Sequence, residues 1–157
     1  MDKDWIDLLS LFDRHGVKYL IIGGWAVTFY SQPRFTKDLD LFIDSSKENA
    51  EATYRALAAF GAPLEGIEVD DFRNADAIFQ MGQPPLRIDI LNAVPGLNFS
   101  TAWDSRCDSE IEGITIHYVG RNDLIRSKLA AGRLQDLADA EAIQVAEQAA
   151  MLKPSGN

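Results

Sequence analysis

Apolar residues at helical spacing alternate along the chain with short β-rich runs. The first pattern has apolar positions at i, i+3, i+4 and i+7 from Trp5 to Phe12, and Gly16 follows it. This arrangement predicts an amphipathic helix that ends at the glycine. The run Val17–Ile22 is typical of a strand, and it leads through two glycines into a second predicted helix at residues 25–30.

The next two predicted elements are a strand and a long helix. The strand is expected at Asp38–Ile43, where apolar and acidic residues alternate. Ser45, with Glu48 three residues later, resembles a capping box for a helix over Lys47–Phe60. Gly61 follows that pattern and predicts where the helix ends.

The rest of the chain changes from strand patterns to helix patterns. Asn122 or Asp123 is expected to cap the first of two C-terminal helices, and Gly132 to separate them. The pattern predicts strands at 77–81, 86–91 and 114–119, helices through 131 and from there to about 149, and a frayed tail at 150–157. This order predicts an α/β or α+β fold with a small mixed β-sheet flanked by helices. With no repeat and no linker, residues 1–157 are expected to form a single domain.

Composition excludes several kinds of site. The chain has 157 residues, of which 46% are hydrophobic and 25% are charged, which is typical of a globular protein. A single cysteine, Cys107, excludes an internal disulfide and a cysteine-built zinc site. Two histidines exclude a multi-histidine metal centre. The net charge of −9 argues against a surface that grips nucleic acid over its whole extent, but it permits a local basic strip.

Nothing in the sequence predicts a membrane segment or an export signal. The first residues are acidic, and they open no apolar signal segment. The longest nearly apolar stretch, Tyr19–Tyr30, is shorter than the roughly 20 residues that a membrane-spanning helix needs. A cytoplasmic protein with no membrane partner is therefore the expectation.

The run Asp38-Leu39-Asp40 suggests a cation site. Residues two apart on a strand share a face, so both carboxylates are expected to project together while Leu39 and Leu41 point into the core. Two unpaired acids so close repel each other, and a divalent cation with a preference for hard oxygen ligands, Mg²⁺ or Mn²⁺, relieves that repulsion. A polar strand face that is simply exposed to water is the alternative.

Two further features extend this pattern. Gly23-Gly24 lies between a predicted strand and a predicted helix, where glycines let backbone N–H groups approach a phosphate, although a tight turn is an alternative. Asp89 adds a third acid on a strand whose neighbours Ile88 and Ile90 face the other way. An ion pair between Asp89 and Arg87 on the same face is the alternative for that residue.

These motifs together resemble a known enzyme superfamily. The run Ile22-Gly23-Gly24, followed by Asp38-Leu39-Asp40-Leu41, resembles the signature of the DNA polymerase β-like nucleotidyltransferases. The segments 34–40, 87–91 and 123–137 are similar to motifs of its AbiEii-type abortive-infection toxin branch, and the likeness spans about residues 17–140. Gly-Gly-Trp-Ala at residues 23–26 is also similar to the small aminoglycoside and lincosamide nucleotidyltransferases.

The resemblance implies a reaction and a set of residues. It implies a metal-dependent transfer of a nucleoside monophosphate from an NTP to an acceptor hydroxyl on RNA, protein or a small molecule, with release of pyrophosphate. Asp38, Asp40 and Asp89 would be both catalytic residues and ligands of Mg²⁺ or Mn²⁺, and Asp136 would orient or deprotonate the acceptor. The nucleotide-binding residues would be Gly23, Gly24, Arg34, Thr36, Lys128 and Arg133.

Alternatives remain open for both the function and the supporting residues. The chain is interpreted as the toxin of a toxin–antitoxin pair, with an antitoxin or a second copy as partner. The alternatives are a non-catalytic nucleotide- or partner-binding module and an antibiotic nucleotidyltransferase. Lys128 and Arg133 are alternatively solvated helix charges, and Asp136 and Asp139 alternatively face water near the start of the last helix.

Overall fold

The computed structural model describes residues 1–33, 36, 38–83 and 86–152. Helices and strands alternate over most of this length, and a short 3-10 helix lies at Val69–Arg73. The helices are α1 (Lys3–Arg14), α2 (Gly23–Tyr30), α3 (Lys47–Phe60), α4 (Phe99–Asp104), α5 (Arg121–Ala131) and α6 (Leu134–Leu152). The strands are β1 (Tyr19–Ile22), β2 (Asp38–Ile43), β3 (Ile78–Met81), β4 (Arg87–Leu91), β5 (Cys107–Ile111) and β6 (Ile114–Tyr118).

The six strands form one mixed sheet in the order β3-β4-β2-β1-β6-β5. β2 pairs with β4, and β1 with β6, in parallel, whereas the other neighbours are antiparallel. This confirms the predicted fold class, a small mixed sheet flanked by helices. The extent of the domain, expected at 1–157, stays a prediction. None of the described helices is long and apolar enough to cross a membrane.

Burial along β1 and β2 follows the alternation in the sequence. All four residues of β1 are buried, because the strand lies in the interior of the sheet. On β2, Leu39 and Leu41 are fully buried, whereas Asp38 and Asp40 are only partly buried. The two leucines therefore anchor β2 in the core and leave both carboxylates on the opposite face, as predicted.

Helix α3 is capped one residue later than predicted. Ser46, not Ser45, is the N-cap, and its hydroxyl accepts a hydrogen bond from the Asn49 backbone N–H at 3.2 Å. The Asn49 side chain then accepts from the Lys18 N–H at 2.8 Å and donates to the Asp44 carbonyl at 2.8 Å. The sequence did not predict this role of Asn49. Its hydrogen bonds connect the start of α3 to the residue before β1 and to the residue after β2.

Three elements were not predicted: the 3-10 helix, α4 and β5. β5 has three consecutive polar residues between Cys107 and Ile111 and pairs only with β6, so it carries too few apolar residues to indicate a strand, although its burial alternates. Several predicted element starts also differ: β1 begins at Tyr19 rather than Val17, β3 and β4 each begin one residue later than predicted, and α2 already includes Gly23.

The C-terminal helices also differ from the prediction at their ends. α5 begins at Arg121, after the N-cap Gly120, rather than after Asn122 or Asp123. α6 continues to Leu152, so residues 150–152 belong to the helix and not to a frayed tail. Residues 153–157 lie outside the described part.

Candidate active site

Three acidic side chains meet at the centre of the sheet. The parallel register of β2 and β4 places Asp40 directly opposite Asp89, and Asp38 opposite Arg87. On the other side of β2, the antiparallel register places Ile22, the last residue of β1, opposite Asp40. The end of β1 and the acids of β2 and β4 therefore lie together, and Asp38, Asp40 and Asp89 line one cleft.

The glycine that follows β1 fits closely against this cluster. Gly23 has φ +68°, a conformation that residues with a Cβ rarely adopt. A Cβ built there would overlap the Asp40 carboxylate. The N-cap of α2, Ile22, makes no side-chain cap hydrogen bond, so no cap side chain occupies the first backbone N–H groups of the helix. The glycine thus leaves space beside Asp40.

The acids of the cluster are incompletely neutralised. Burial, followed by repulsion from Asp89 and Asp38, raises the pKa of Asp40 from 3.8 to about 6, although the nearby Lys128 charge opposes the shift. A carboxyl group with a raised pKa is one whose charged form lacks sufficient stabilisation. The cluster therefore favours an added cation.

Arg87 supplies part of the missing positive charge. Arg87 Nη2 lies 3.2 Å from Asp38 Oδ2 and 3.4 Å from Asp89 Oδ2. The Nε of Arg87 lies 3.2 Å from Asp89 Oδ1. The contact between Arg87 and Asp89 that was raised as an alternative is therefore present, and Asp38 shares the same guanidinium.

The donor set fits a hard divalent cation. It consists of carboxylates, which Mg²⁺ and Mn²⁺ prefer, and within the described ranges Asp89 Oδ1 is buried and accepts no hydrogen bond. As placed, however, no three Asp, Glu, His or Cys side chains of the described residues already form a metal cage. The residue types and their positions therefore suit a divalent cation, but the described side chains do not form a preformed coordination site.

A second acidic cluster lies on α6 and is paired with Lys128 of α5, and all of these residues line the same cleft. Asp136 and Asp139 are 2% and 3% exposed, so the interpretation that they face water is wrong. Lys128 Nζ lies 2.9 Å from Asp139 Oδ2 and 3.5 Å from Asp136 Oδ1. Arg133 Nε donates to Asp136 Oδ2 at 2.7 Å, and the Gln135 amide donates to Asp139 at 2.9 Å.

This pairing changes what Asp136 is suited to do. The hydrogen bond from Arg133 is the main cause that lowers the pKa of Asp136, and the Lys128 charge adds to it. A general base works best with a pKa near the operating pH. The lowered pKa therefore disfavours deprotonation of the acceptor by Asp136, and its orienting role stays a prediction.

The cleft between the two clusters has a volume of about 530 Å³. Its floor carries the three sheet acids and Gly23-Gly24, and one side carries Lys128, Arg133 and the two helix acids. Another wall is apolar and was missed by the sequence reasoning: Ile78, Leu91, Val94 and Pro95. The only signal for it was the position of Leu91, two residues after Asp89 on the same strand.

The remaining predicted residues are placed less centrally. Thr36 donates a hydrogen bond to the Asp38 carbonyl at 3.4 Å and is not among the described residues that line the cleft. Arg34 lies outside the described residues. Lys128 and Arg133 both line the cleft, with 12% and 80% of their side chains exposed, and their nucleotide-binding roles stay predictions.

Comparison with known proteins points to one kind of enzyme. Residues 4–153 match the model of a family described as "Nucleotidyltransferase of unknown function (DUF6036)". No curated protein matches the sequence. The match supports the predicted superfamily, whereas the AbiEii-type branch stays a prediction.

Solved structures share the fold at low sequence identity. The lincosamide antibiotic adenylyltransferase LnuA, solved with lincomycin, is 17% identical with a TM-score of 0.59, over 92% of this chain and 96% of LnuA. An antigenic nucleotidyltransferase-like protein from Paracoccidioides brasiliensis is 14% identical with a TM-score of 0.56, over 93% of this chain and 75% of that protein. The antibiotic-resistance factor ANT(2'')-Ia is 13% identical with a TM-score of 0.53, over 94% of this chain and 89% of that protein. At these identities the likeness shows the fold alone.

Proposed function

Because the chain belongs to the DUF6036 family of nucleotidyltransferases, we propose that it transfers a nucleoside monophosphate from an NTP to an acceptor hydroxyl. Pyrophosphate is the other product. One observation carries the proposal: Asp40 faces Asp89 across a parallel strand pair, with Asp38 on the same face and Gly23 against the Asp40 carboxylate. Acids gathered in this way are suited to a phosphate-transfer site, where cations must offset phosphate charge.

The three sheet acids would hold Mg²⁺ or Mn²⁺ in this reaction. A divalent cation bound by Asp38, Asp40 and Asp89 would supply neutralisation of phosphate charge and a lowered pKa for the acceptor hydroxyl. The Asp89 Oδ1 atom, which is buried and accepts no hydrogen bond from the described residues, is suited to be a ligand.

The start of α2 would bind the triphosphate. Gly23 and Gly24 line the cleft in the first turn of α2, where backbone N–H groups lack partners within the helix. Helix N-termini favour anions through these donors and the helix dipole. Lys128 and Arg133 would assist from the opposite side, after exchanging part of their contact with the helix acids for the phosphates.

The cleft favours a small-molecule acceptor. Its apolar residues Ile78, Leu91, Val94 and Pro95 offer a surface for the non-polar part of a small ligand, and charged side chains line the same cleft. LnuA, which shares the fold, is an adenylyltransferase of a lincosamide antibiotic. RNA and protein acceptors are the competing classes, and the following assay distinguishes them.

The test is a transfer assay with the full chain, Mg²⁺ and each α-labelled NTP. Pools of small hydroxyl compounds, RNA and protein serve as separate acceptors, and EDTA is the metal-removal arm. Labelled product is expected in Mg²⁺ only, with Asp40→Asn reducing the rate at least about 100-fold because a metal ligand is lost. Asp70→Asn, which removes an exposed carboxylate outside the cleft, is expected to retain wild-type rate.

Two results would contradict the proposal. Equal labelling by wild type and Asp40→Asn would remove the sheet acids from the reaction. Binding of Mg²⁺-NTP in calorimetry, without labelled product from any acceptor pool, would favour the non-catalytic binding module instead.

A further inference from the structure

Arg87 has an unusual position within the acidic cluster. It lies two residues before Asp89 on β4 and opposite Asp38 on β2, so it shares the face of the three sheet acids. Its guanidinium contacts Asp38 and Asp89 together, at 3.2 Å from an oxygen of each. The two carboxylates proposed to share a cation are therefore already joined by a protein cation.

The contact with Asp89 is close but poorly formed. Arg87 Nε and Asp89 Oδ1 are both buried, and neither has a hydrogen-bond partner among the described residues, although they lie 3.2 Å apart. Buried polar atoms without hydrogen bonds are destabilising. The Arg87 side chain is also 35% exposed, so it has room to move towards solvent. A contact of this kind is easier to exchange than a buried, fully hydrogen-bonded pair.

We infer that Arg87 is an exchangeable countercharge, which neutralises Asp38 and Asp89 in the metal-free protein and leaves at least one of them when a divalent cation binds. This inference rests on the proposed function, because it assumes that the sheet acids hold a metal. It accounts for the finding that no metal cage is preformed among the described residues. Arg87 is thus a positioning residue that sets how tightly the metal is held.

Removal of Arg87 has opposite consequences for folding and for metal binding. Without the guanidinium, the acids repel one another in the metal-free protein, whereas the metal-bound protein loses little. The difference in free energy between the two states then increases in favour of the bound one. Loss of packing or misfolding would instead weaken metal binding, so the direction of the change distinguishes the two explanations.

The experiment measures Mn²⁺ binding to the full chain by calorimetry and by the electron paramagnetic resonance signal of free Mn²⁺. Arg87→Ala is expected to bind Mn²⁺ about tenfold more tightly than wild type. It is also expected to melt at a lower temperature in EDTA and to show a larger increase in Tm on addition of Mn²⁺. Arg87→Lys, which keeps a cation at the site, is expected to restore a dissociation constant near that of wild type.

Arg73→Ala is the matched control. Arg73 pairs with Asp70 at 3.7 Å outside the cleft, so this variant removes the same charge from the chain without touching the acids. Its dissociation constant is expected to stay within about twofold of wild type, since distant exposed charges are screened.

The outcomes separate this inference from the proposed function. Binding by wild type, with unchanged or weaker binding by Arg87→Ala, overturns the countercharge role and leaves the metal site intact. Binding by neither protein overturns the metal-dependent function together with the inference. Tighter binding by both Arg87→Ala and Arg73→Ala would show that only net charge matters, and it would also overturn the specific role of Arg87.

Discussion

The two acidic clusters that face each other across the cleft are built from the same residue type but differ in charge balance. On the sheet, Asp38 and Asp89 share one guanidinium, that of Arg87, and the pKa of the neighbouring Asp40 is raised to about 6. On the helices, two buried acids are matched by Lys128 and Arg133, and hydrogen bonding lowers the pKa of Asp136.

This difference in charge balance distinguishes the sheet acids, which are suited to bind a ligand, from the helix acids, which stabilise the fold. The helix acids are satisfied by the protein itself, so they stabilise the packing of α5 against α6. The sheet acids have too little positive charge around them, and this lowers the stability of the folded protein. Ligand-binding residues commonly differ in this way from residues that stabilise a fold. Substitution of Asp by Asn should therefore have opposite effects on stability in the two clusters.

The largest expected effect is a loss of stability when the helix cluster is broken. Asp136→Asn removes a carboxylate that is 2% exposed and leaves Arg133 and Lys128 without part of their partner. Breaking a buried, hydrogen-bonded ion pair is strongly destabilising, and about 3 kcal/mol is expected here because Arg133 itself is exposed. Urea unfolding, monitored by circular dichroism, measures this loss.

An exposed acid provides the control for that loss. Asp70 pairs with Arg73 at 3.7 Å, and 83% of its side chain is exposed, so Asp70→Asn is expected to change stability by less than about 0.5 kcal/mol. An Asp136→Asn variant as stable as Asp70→Asn would show that the helix cluster does not support the fold.

A smaller effect of opposite sign is expected on the sheet. Asp40→Asn in EDTA removes an ionised group that burial and its neighbours disfavour. Because the pKa rises from 3.8 to about 6, ionisation of Asp40 destabilises the folded protein by about 3 kcal/mol at neutral pH. Asparagine is an imperfect replacement, so we expect a gain of about 2 kcal/mol in the free energy of unfolding.

The pH dependence gives a second check of the same variant. The folded-state pKa of Asp40 lies above the unfolded value, so its penalty is complete above pH 6 and absent below 3.8. The ionisation penalty should therefore fall to about half between pH 7 and pH 5, and the net gain from Asp40→Asn should fall from about 2 kcal/mol to about 0.6 kcal/mol. The deficit of Asp136→Asn should persist over that range, because a lowered pKa keeps that group ionised. Equal pH dependence in both variants would contradict the comparison.

Local patterns made the sheet cluster predictable. Alternation at Asp38-Leu39-Asp40 fixed which side chains share a face, and Gly23-Gly24 marked the passage from strand to helix. These features depend on residues close in the chain, where the period of a strand is enough to assign a face. The third acid followed from the same alternation on β4.

Contacts between residues far apart in the chain could not be predicted from the sequence. The pairing of Arg87 with Asp38 joins residues that are 49 apart and depends on the register of β2 with β4. The burial of Asp139 requires Lys128 from a different helix, and an acid on an isolated helix pattern is ordinarily assigned to solvent. Edge strand β5 likewise depends on its partner rather than on its own residues.

The smallest effect concerns the glycine that adjoins the sheet cluster. Gly23→Ala and Gly16→Ala share the same backbone strain, since their φ angles are +68° and +69°. A Cβ at Gly16 meets nothing within 4 Å, whereas one at Gly23 overlaps the Asp40 carboxylate, so Gly23→Ala should lose about 1 kcal/mol more in urea unfolding. Combining Gly23→Ala with Asp40→Asn should not remove this additional loss of stability, because the asparagine amide occupies the same space as the carboxylate. Disappearance of the additional loss would mean that charge, rather than volume, keeps a side chain out of position 23.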